Sequence, residues 1–556
     1  MLLQNKNAFR TFINMYSSAS AGSKTFFLTS PIFYVNASPH IGHLYTALIC
    51  DAASKFERLL SGKNNIFSTG TDEHGLKIQQ SAQKAKLPIA NYCDNISKEY
   101  DSMFKDFGVH YSDFIRTTDE KHKLAVEKFW TRLSDRGHIF STNYSGWYCV
   151  PDETFLTESQ LIQVPGKDIK VSVESGHPVE WTEEKNYMFK LSNFYDDLNY
   201  WLKNENVIRP KKYHKMVYDW INGSELLRDI SVSRPTNRVY WGIPVPGDPT
   251  QTIYVWLDAL VNYLTASGYP DTDGQQFRSC WPPDLHVIGK DILKFHAIYW
   301  PAFLIAAGLE PPKSILCHAH WTVDGDKMSK SKNNVISPNS CIDQYGAEGI
   351  RYFLLREGVA HSDGNYSDTK IKNILNSELA DSFGNLLSRC CGKVLNPDQQ
   401  FPTLHRDVFE NIVKNNELAE KLTKSVENLP DIAKEHYLDH NYYKVVDATI
   451  STIHLANAFF EHQKPWELKK LNNQDQLDVV LHLVLETLRV CGIILWPIIP
   501  VLSQKLLSKL NICMDTISWD NISPLSWDKK DSPAYKLSED SCVIYQRIQS
   551  KKNKHK

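Results

Sequence analysis

The 556-residue sequence lacks a charge of one sign: Lys and Arg number 62 against 64 Asp and Glu, a formal net charge of −2. That excludes a histone-like or arm-dominated polyanion binder, though it leaves room for a locally basic groove. It also lacks any Cys-x-x-Cys pair among its eleven cysteines. This excludes a zinc ribbon or knuckle and argues against a disulfide framework, and it points to a reducing compartment. The adjacent Cys390 and Cys391 read as small core residues. No apolar run is membrane-length. The richest stretch, Val479 to Leu502, is broken by His482, Glu486, Arg489, Pro497 and Pro500. Its longest uncharged part falls short of the ~20 residues of a spanning helix, so a buried helix with a proline-ended turn is expected. Finally, acid is missing from the start, because the first carboxylate is Asp51. Residues 1–24 carry Lys6, Arg10, Lys24 and four serines. This is the composition of an organellar transit peptide, the alternative being a plain disordered start.

What is present is an ordinary globular composition, 42% apolar and 23% charged. The chain is long enough for roughly three or four domains. Thr25 to Ser30 reads as a strand, and Pro31 to Pro39 as a turn. A helix follows with Leu44, Leu48, Ala52, Phe56 and Leu59 on one face, stopped at Ser61-Gly62, and then a strand at Ile66–Thr69. This is the opening of a βαβ unit, hence α/β with a parallel sheet and ligands at strand ends. Residues 140–245, rich in Tyr, Trp and Pro, read as an insertion. Strands resume at Thr252–Val255, Leu285–Ile288 and Ser314–Cys317. After about residue 370 the pattern is helical, with one stripe of Ile374, Leu375, Leu379, Phe383, Leu386, Leu387 and Val394, and others at 442–463 and 477–495.

Two motifs carry chemistry. His40-Ile41-Gly42-His43 lies between the first strand and its helix. Two imidazoles three apart at a helix N-terminus can both donate to one anion, and Gly42 lets a phosphate or base approach the backbone. The alternative is a capping turn that happens to contain histidines. Lys327-Met328-Ser329-Lys330-Ser331 follows a late strand and turn. Its lysines can close over a polyphosphate and stabilise a departing pyrophosphate, or form a solvated loop. There is no Gly-x-x-x-x-Gly-Lys-Ser/Thr phosphate loop.

Together and in this order, H-x-G-H and K-M-S-K-S resemble the paired signature of class I aminoacyl-tRNA synthetases. Tyr34-Val35-Asn36, Gly70-Thr71-Asp72-Glu73-His74-Gly75, Tyr254-Val255-Trp256-Leu257-Asp258-Ala259 and Gly289-Lys290-Asp291-Ile292 narrow the resemblance to the methionyl branch. So do Trp241-Gly242-Ile243-Pro244, Asn385-Leu386-Leu387-Ser388-Arg389 and Pro465-Trp466. The resemblance runs from about residue 25 to 510 and is greatest to the mitochondrial form.

The resemblance implies a Rossmann-like catalytic domain split into 25–139 and 246–320, with a connective insertion at 140–245. A K-M-S-K-S and stem-contact region at 321–370, an all-α anticodon-binding domain at 371–546 and a basic tail at 547–556 would follow. It implies methionine activation by ATP with Mg²⁺, transfer to tRNA(Met), and residence in the mitochondrial matrix. Tyr34, Asp72, Trp256, Ala259, Tyr263, Ile292 and His296 would bind methionine. His40, Gly42, His43, Gly289, Lys290, Asp291, Arg234, Lys327 and Lys330 would serve ATP, with His40, His43, Lys327 and Lys330 catalytic. Asn385, Arg389 and Trp466 would read the anticodon, although Trp466 could instead be a packing residue and Arg234 a surface one.

One departure concerns metal. Cys149 is the only cysteine of the insertion, so the thiolates of zinc-bearing relatives are missing and no structural zinc is expected. A monomer is expected, since no long self-association extension follows. Rival readings are another class I synthetase, and a non-catalytic RNA-binding derivative. The short insertion argues against the editing branched-chain enzymes, and the intact histidine and lysine motifs argue against the derivative.

Overall fold

The computed structural model describes residues 24–549 apart from 151–153, 157, 165, 167–168, 174, 224–226, 324, 329–333, 525–526 and 528–530. Its centre is a six-stranded sheet. The strands lie in the order Asp113–Arg116, Ile66–Asp72, Phe27–Tyr34, Leu285–Gly289, Ile315–His318 and Ile208–Arg209, all parallel. Helices cover both faces, which is why Phe27, Leu28, Phe67, Val287, Ile288 and Ile315 are all buried. Phe27–Tyr34 and Leu285–Gly289 are neighbours in space though far apart in sequence. The crevice at their carboxyl ends is the topological switch point where such sheets bind ligands.

The first strand is longer than its sequence pattern suggests. It runs Phe27–Tyr34 through Pro31, and the pairing with Ile66–Asp72 shifts register between Thr29 and Ile32. A proline has no N–H to give a ladder, so it is tolerated at such an irregularity. The helix Ile41–Ser61 ends as expected at Gly62, whose φ of 67° is the left-handed cap.

Residues 140–245 do not form one separate body. The long antiparallel pairing of Ile139–Cys149 with Glu180–Phe189 forms a sheet of its own. Ile208–Arg209, however, is the edge of the main sheet, and Leu198, Tyr213, Val217 and Ile221 join the core of Ile288 and Ile315. The strand expected at Thr252–Val255 is Asp248–Ile253, and it pairs in a small antiparallel sheet with Ser233–Pro235 and Pro244–Val245. A β-rich run reveals a strand but not its sheet.

Helices Glu417–Leu438, Tyr442–Gln463, Gln474–Leu495 and Pro500–Lys509 build the carboxyl-terminal bundle. Before them, a π-helical segment, Leu375–Gly384, leads into the helix Asn385–Cys390. That helix stops short of Val394, which is therefore 81% exposed rather than part of the stripe. Among the described residues, no helix is long and apolar enough to cross a membrane.

The bundle docks on the first helix. The Phe56 ring stacks on Tyr437 at 4.5 Å, and the Tyr442 hydroxyl donates to the Ile49 carbonyl at 3.1 Å. The fully buried Arg351 ties the halves together. It donates to Asp51 at 2.6 Å and to the Phe107 and Ile498 carbonyls at 3.0 Å each. Burial works against the Asp51 charge, but Lys55 and Arg351 outweigh it and keep the carboxyl below its usual range.

Candidate active site

A cavity of about 390 Å³ opens at the switch point. Tyr34 and Asp72, paired in register, end two neighbouring strands and reach its wall. The helix Val255–Leu260 contributes Trp256 and Ala259, and Tyr263 follows in the next turn of chain. Ile292 and His296 come from the segment after Leu285–Gly289. All seven residues expected to bind methionine thus line one space.

His296 sits in a second π-helical segment, Phe295–Tyr299, a geometry that re-aims side chains at functional positions. Its Nδ1–H donates to the Ile292 carbonyl at 2.9 Å, so Nε2 accepts the Tyr263 hydroxyl at 2.7 Å. Burial lowers the His296 pKa to about 4, so the ring is neutral near pH 7. Trp256 stacks on Phe295 with centroids 3.7 Å apart. The Tyr263 hydroxyl and the His296 ring are thus committed to each other and to backbone, which leaves mainly aromatic and aliphatic surface suited to a polarizable apolar side chain.

At the other end of the cavity stand His40, Gly42 and His43. His40 is the N-cap of Ile41–Ser61: its Nδ1 accepts the Gly42 N–H at 3.0 Å, while the His43 Nδ1 accepts the His40 N–H at 3.3 Å. A backbone N–H can only donate, so each Nδ1 is bare and each ring carries its proton on Nε2. The rings stack at 3.7 Å. Burial lowers the His40 pKa to about 4 and holds His43 well below its ordinary value. The pair therefore presents two neutral N–H donors at a helix N-terminus. Gly42 has a nearer purpose than room for a ligand, since a Cβ there would lie 2.9 Å from the His40 ring.

Gly289 and Asp291 also line the cavity, and Asp291 lies 3.2 Å from His320 Nε2 with its side chain 61% exposed. Two expected ATP residues stand elsewhere. The Lys290 ammonium turns to Asp363, at 2.7 and 2.9 Å. Arg234 is buried in the seam with the insertion. It donates to Ser231 Oγ and the Ser233 carbonyl and lies 4.3 Å from the Tyr254 ring centre. The Tyr148 and Phe155 ring centres also lie within 5.3 Å of the guanidinium, a set of aromatic faces that favours a buried cation. Lys327 ends a short strand, Asp326–Lys327, and its side chain, like Lys330, lies outside the described residues.

Residues that sequence reading did not assign also reach the cavity, among them Thr46, Lys77, Asn262, His318 and Met328. Met328 belongs to the Lys327–Ser331 motif, and His318 to His318-Ala319-His320. A spacing of two would put both imidazoles on one face of a strand, but the rings do not share one. His318 ends Ile315–His318 and hydrogen-bonds Thr46 Oγ1 at 2.8 Å, whereas His320 lies beyond the strand. Among the described residues, no three His, Cys, Asp or Glu side chains converge to hold a metal ion.

On the bundle, Arg389 lies 4.6 Å from the Phe460 ring and 5.9 Å from the Trp466 ring, and pairs with Glu461 at 2.5 Å. Asn385, exposed, precedes it by one helical turn. Trp466 is half-buried at the start of Pro465–Lys470. The basic residues near 210 are partly committed within the chain: Arg209 donates to the Leu438 carbonyl and Lys212 to that of His361.

A family model described as "tRNA synthetases class I (M)" matches residues 26–391. The human protein named "Methionine--tRNA ligase, mitochondrial" is 48% identical over 501 residues, 87% of this chain and 84% of that one. The chain belongs to the methionyl-tRNA synthetase family of class I. A Dictyostelium discoideum relative, "Probable methionine--tRNA ligase, mitochondrial", is 42% identical over 92% of this chain and 90% of its own. The Mycobacterium tuberculosis methionyl-tRNA synthetase, solved in complex with methionyl-adenylate, superposes with a TM-score of 0.87. It is 36% identical and covers 94% of this chain and 100% of its own.

Proposed function

We propose that this methionyl-tRNA synthetase uses the cavity at the switch point to join methionine to ATP, and then passes the methionyl group to tRNA(Met). The chain is a methionine–tRNA ligase; the assignment of its residues to steps is our reading. Asp72 holds the substrate ammonium, and the wall of Tyr34, Trp256, Ala259, Tyr263, Ile292 and His296 takes the thioether. Asp291 and Gly289 meet the adenosine, Asp291 accepting ribose hydroxyls. A methionine carboxylate oxygen attacks the α-phosphorus in line, and pyrophosphate leaves.

The neutral Nε2–H donors of His40 and His43 stabilise the crowded α-phosphate without transferring a proton. Lys327 and Lys330 serve the departing pyrophosphate, and Mg²⁺ enters as part of the ATP substrate. A terminal ribose hydroxyl of the tRNA then attacks the adenylate carbonyl and AMP leaves. Arg389, Trp466 and Asn385 receive the anticodon by stacking and hydrogen bonding. The relatives carry mitochondrial names, and residues 1–24 have a leader composition, so we place the enzyme in the mitochondrial matrix, acting as a monomer.

The observation that carries this reading is a single cavity joining a carboxylate, a largely aromatic wall and two stacked imidazoles at a helix N-terminus. Methionine-dependent ATP–pyrophosphate exchange tests it. Exchange with methionine and not with leucine or valine is expected, and none above background overturns it.

A further inference from the structure

Behind the cavity lies a buried cluster that the reaction itself does not use. The Asp258 carboxylate is fully buried and accepts from two rings, His74 Nδ1 at 2.7 Å and His122 Nε2 at 2.9 Å. Both histidines are buried as well. The far nitrogen of His122 meets Thr265 Oγ1 at 3.0 Å. A carboxylate only accepts, so each facing ring atom is an N–H. Burial opposes the Asp258 charge, but the two rings hold the carboxyl below its usual range.

Each member of the cluster comes from a different segment of the chain. Asp258 sits between Trp256 and Ala259 on the helix Val255–Leu260. His74 follows Asp72 by two residues. Between them, Glu73 is fixed from the opposite side by Arg116 at 2.6 and 2.9 Å and by Thr71 and Thr118 hydroxyls at 2.8 and 2.6 Å. The loop that presents Asp72 is thus anchored on two sides, by Glu73 towards the strand Asp113–Arg116 and by His74 towards the helix that carries Trp256. His122 extends the tie to the helix Glu120–Asp135.

We propose that the His74–Asp258–His122 clamp fixes the separation of Asp72 from the Trp256–Ala259 wall and so sets the affinity for methionine. This rests on the cavity being the methionine site. None of the three lines up as a group that touches ATP, so the clamp acts as a positioning device for one substrate. A side-chain amide can replace one imidazole N–H: asparagine mimics Nδ1–H and glutamine mimics Nε2–H.

The test is pyrophosphate exchange by the full chain, with methionine and ATP varied separately. His74→Leu and His122→Leu are expected to raise the methionine KM about tenfold or more while the ATP KM stays within about twofold. His74→Asn and His122→Gln are expected to remain within about threefold of the unmodified enzyme on both axes. Equal rises in both KM values, an unmoved methionine KM, or isosteres no better than leucines would overturn the clamp. If the leucine variants do not fold, Thr265→Val decides: about a twofold to fivefold rise in methionine KM is expected, and no rise overturns the proposal. Absence of exchange in the unmodified chain would instead refute the functional reading.

Discussion

The cavity and the bundle face treat their charged and aromatic groups in opposite ways. In the cavity, His296 is buried and His40 and His43 are half-buried, all three are held neutral, and their hydrogen bonds are committed to backbone and hydroxyl partners before any substrate arrives. On the bundle, Arg389 pairs with the exposed Glu461 at 2.5 Å and lies 5.9 Å from the Trp466 ring centre. The first arrangement is preorganised for charge that develops only during reaction. The second is a partly exposed surface, which on the proposed function exchanges its pairings for those of RNA. What they share is a π-helical turn placed immediately before or within the functional segment, at Phe295–Tyr299 and Leu375–Gly384.

The contrast can be broken most severely at the imidazoles. His40→Ala is expected to slow adenylate formation by about 10²–10³-fold with methionine binding retained, which pre-steady-state exchange and equilibrium binding would resolve. Trp466→Ala should lower kcat/KM for tRNA charging by about 10–100-fold, since stacking on an aromatic contributes about 1–3 kcal/mol per base. Pyrophosphate exchange should not change, and a parallel loss there would show that the two regions are not distinct.

The neutral histidines also predict an acid limit. His40, His296 and His318 have folded pKa values lowered to about 4 from 6.5. Between those values the unfolded chain binds more protons, so their contribution to stability is full above about pH 6.5 and falls towards pH 4. Thermal midpoints should drop over that window, and proton uptake on unfolding should appear there by calorimetry. The smallest effect is expected from Glu461→Gln, which removes a carboxylate facing an RNA surface and should tighten tRNA binding by about twofold, given the small worth of exposed pairs.

Much of this was legible in residues. The helix after H-x-G-H could be bounded because its stripe and its glycine stop obey local rules. That Tyr34, Asp72, Trp256, Ala259, Tyr263, Ile292 and His296 share one cavity was legible because short contiguous motifs carry them. What could not be read was long-range pairing. Nothing local says that Asp248–Ile253 leaves the main sheet or that Ile208–Arg209 joins it. Lys290 is expected by the adenosine and Arg234 near the phosphates, yet the Asp363 that Lys290 meets and the Tyr148 ring beside Arg234 come from distant sequence. The buried tie of Asp258 to His74 and His122 was invisible for the same reason, being 184 and 136 residues apart.

The docking of the bundle on Ile41–Ser61 has a consequence for how the chain comes into being. Tyr442 meets Ile49 across 393 residues, and at about 5–20 residues per second that interval of synthesis lasts roughly 20–80 s. During it, the helix that bears the two signature histidines has an apolar flank with no partner yet made. The earliest helix of the catalytic unit is therefore among the last to be completed, and the nascent amino-terminal half is the stage at which holding chaperones have most to protect.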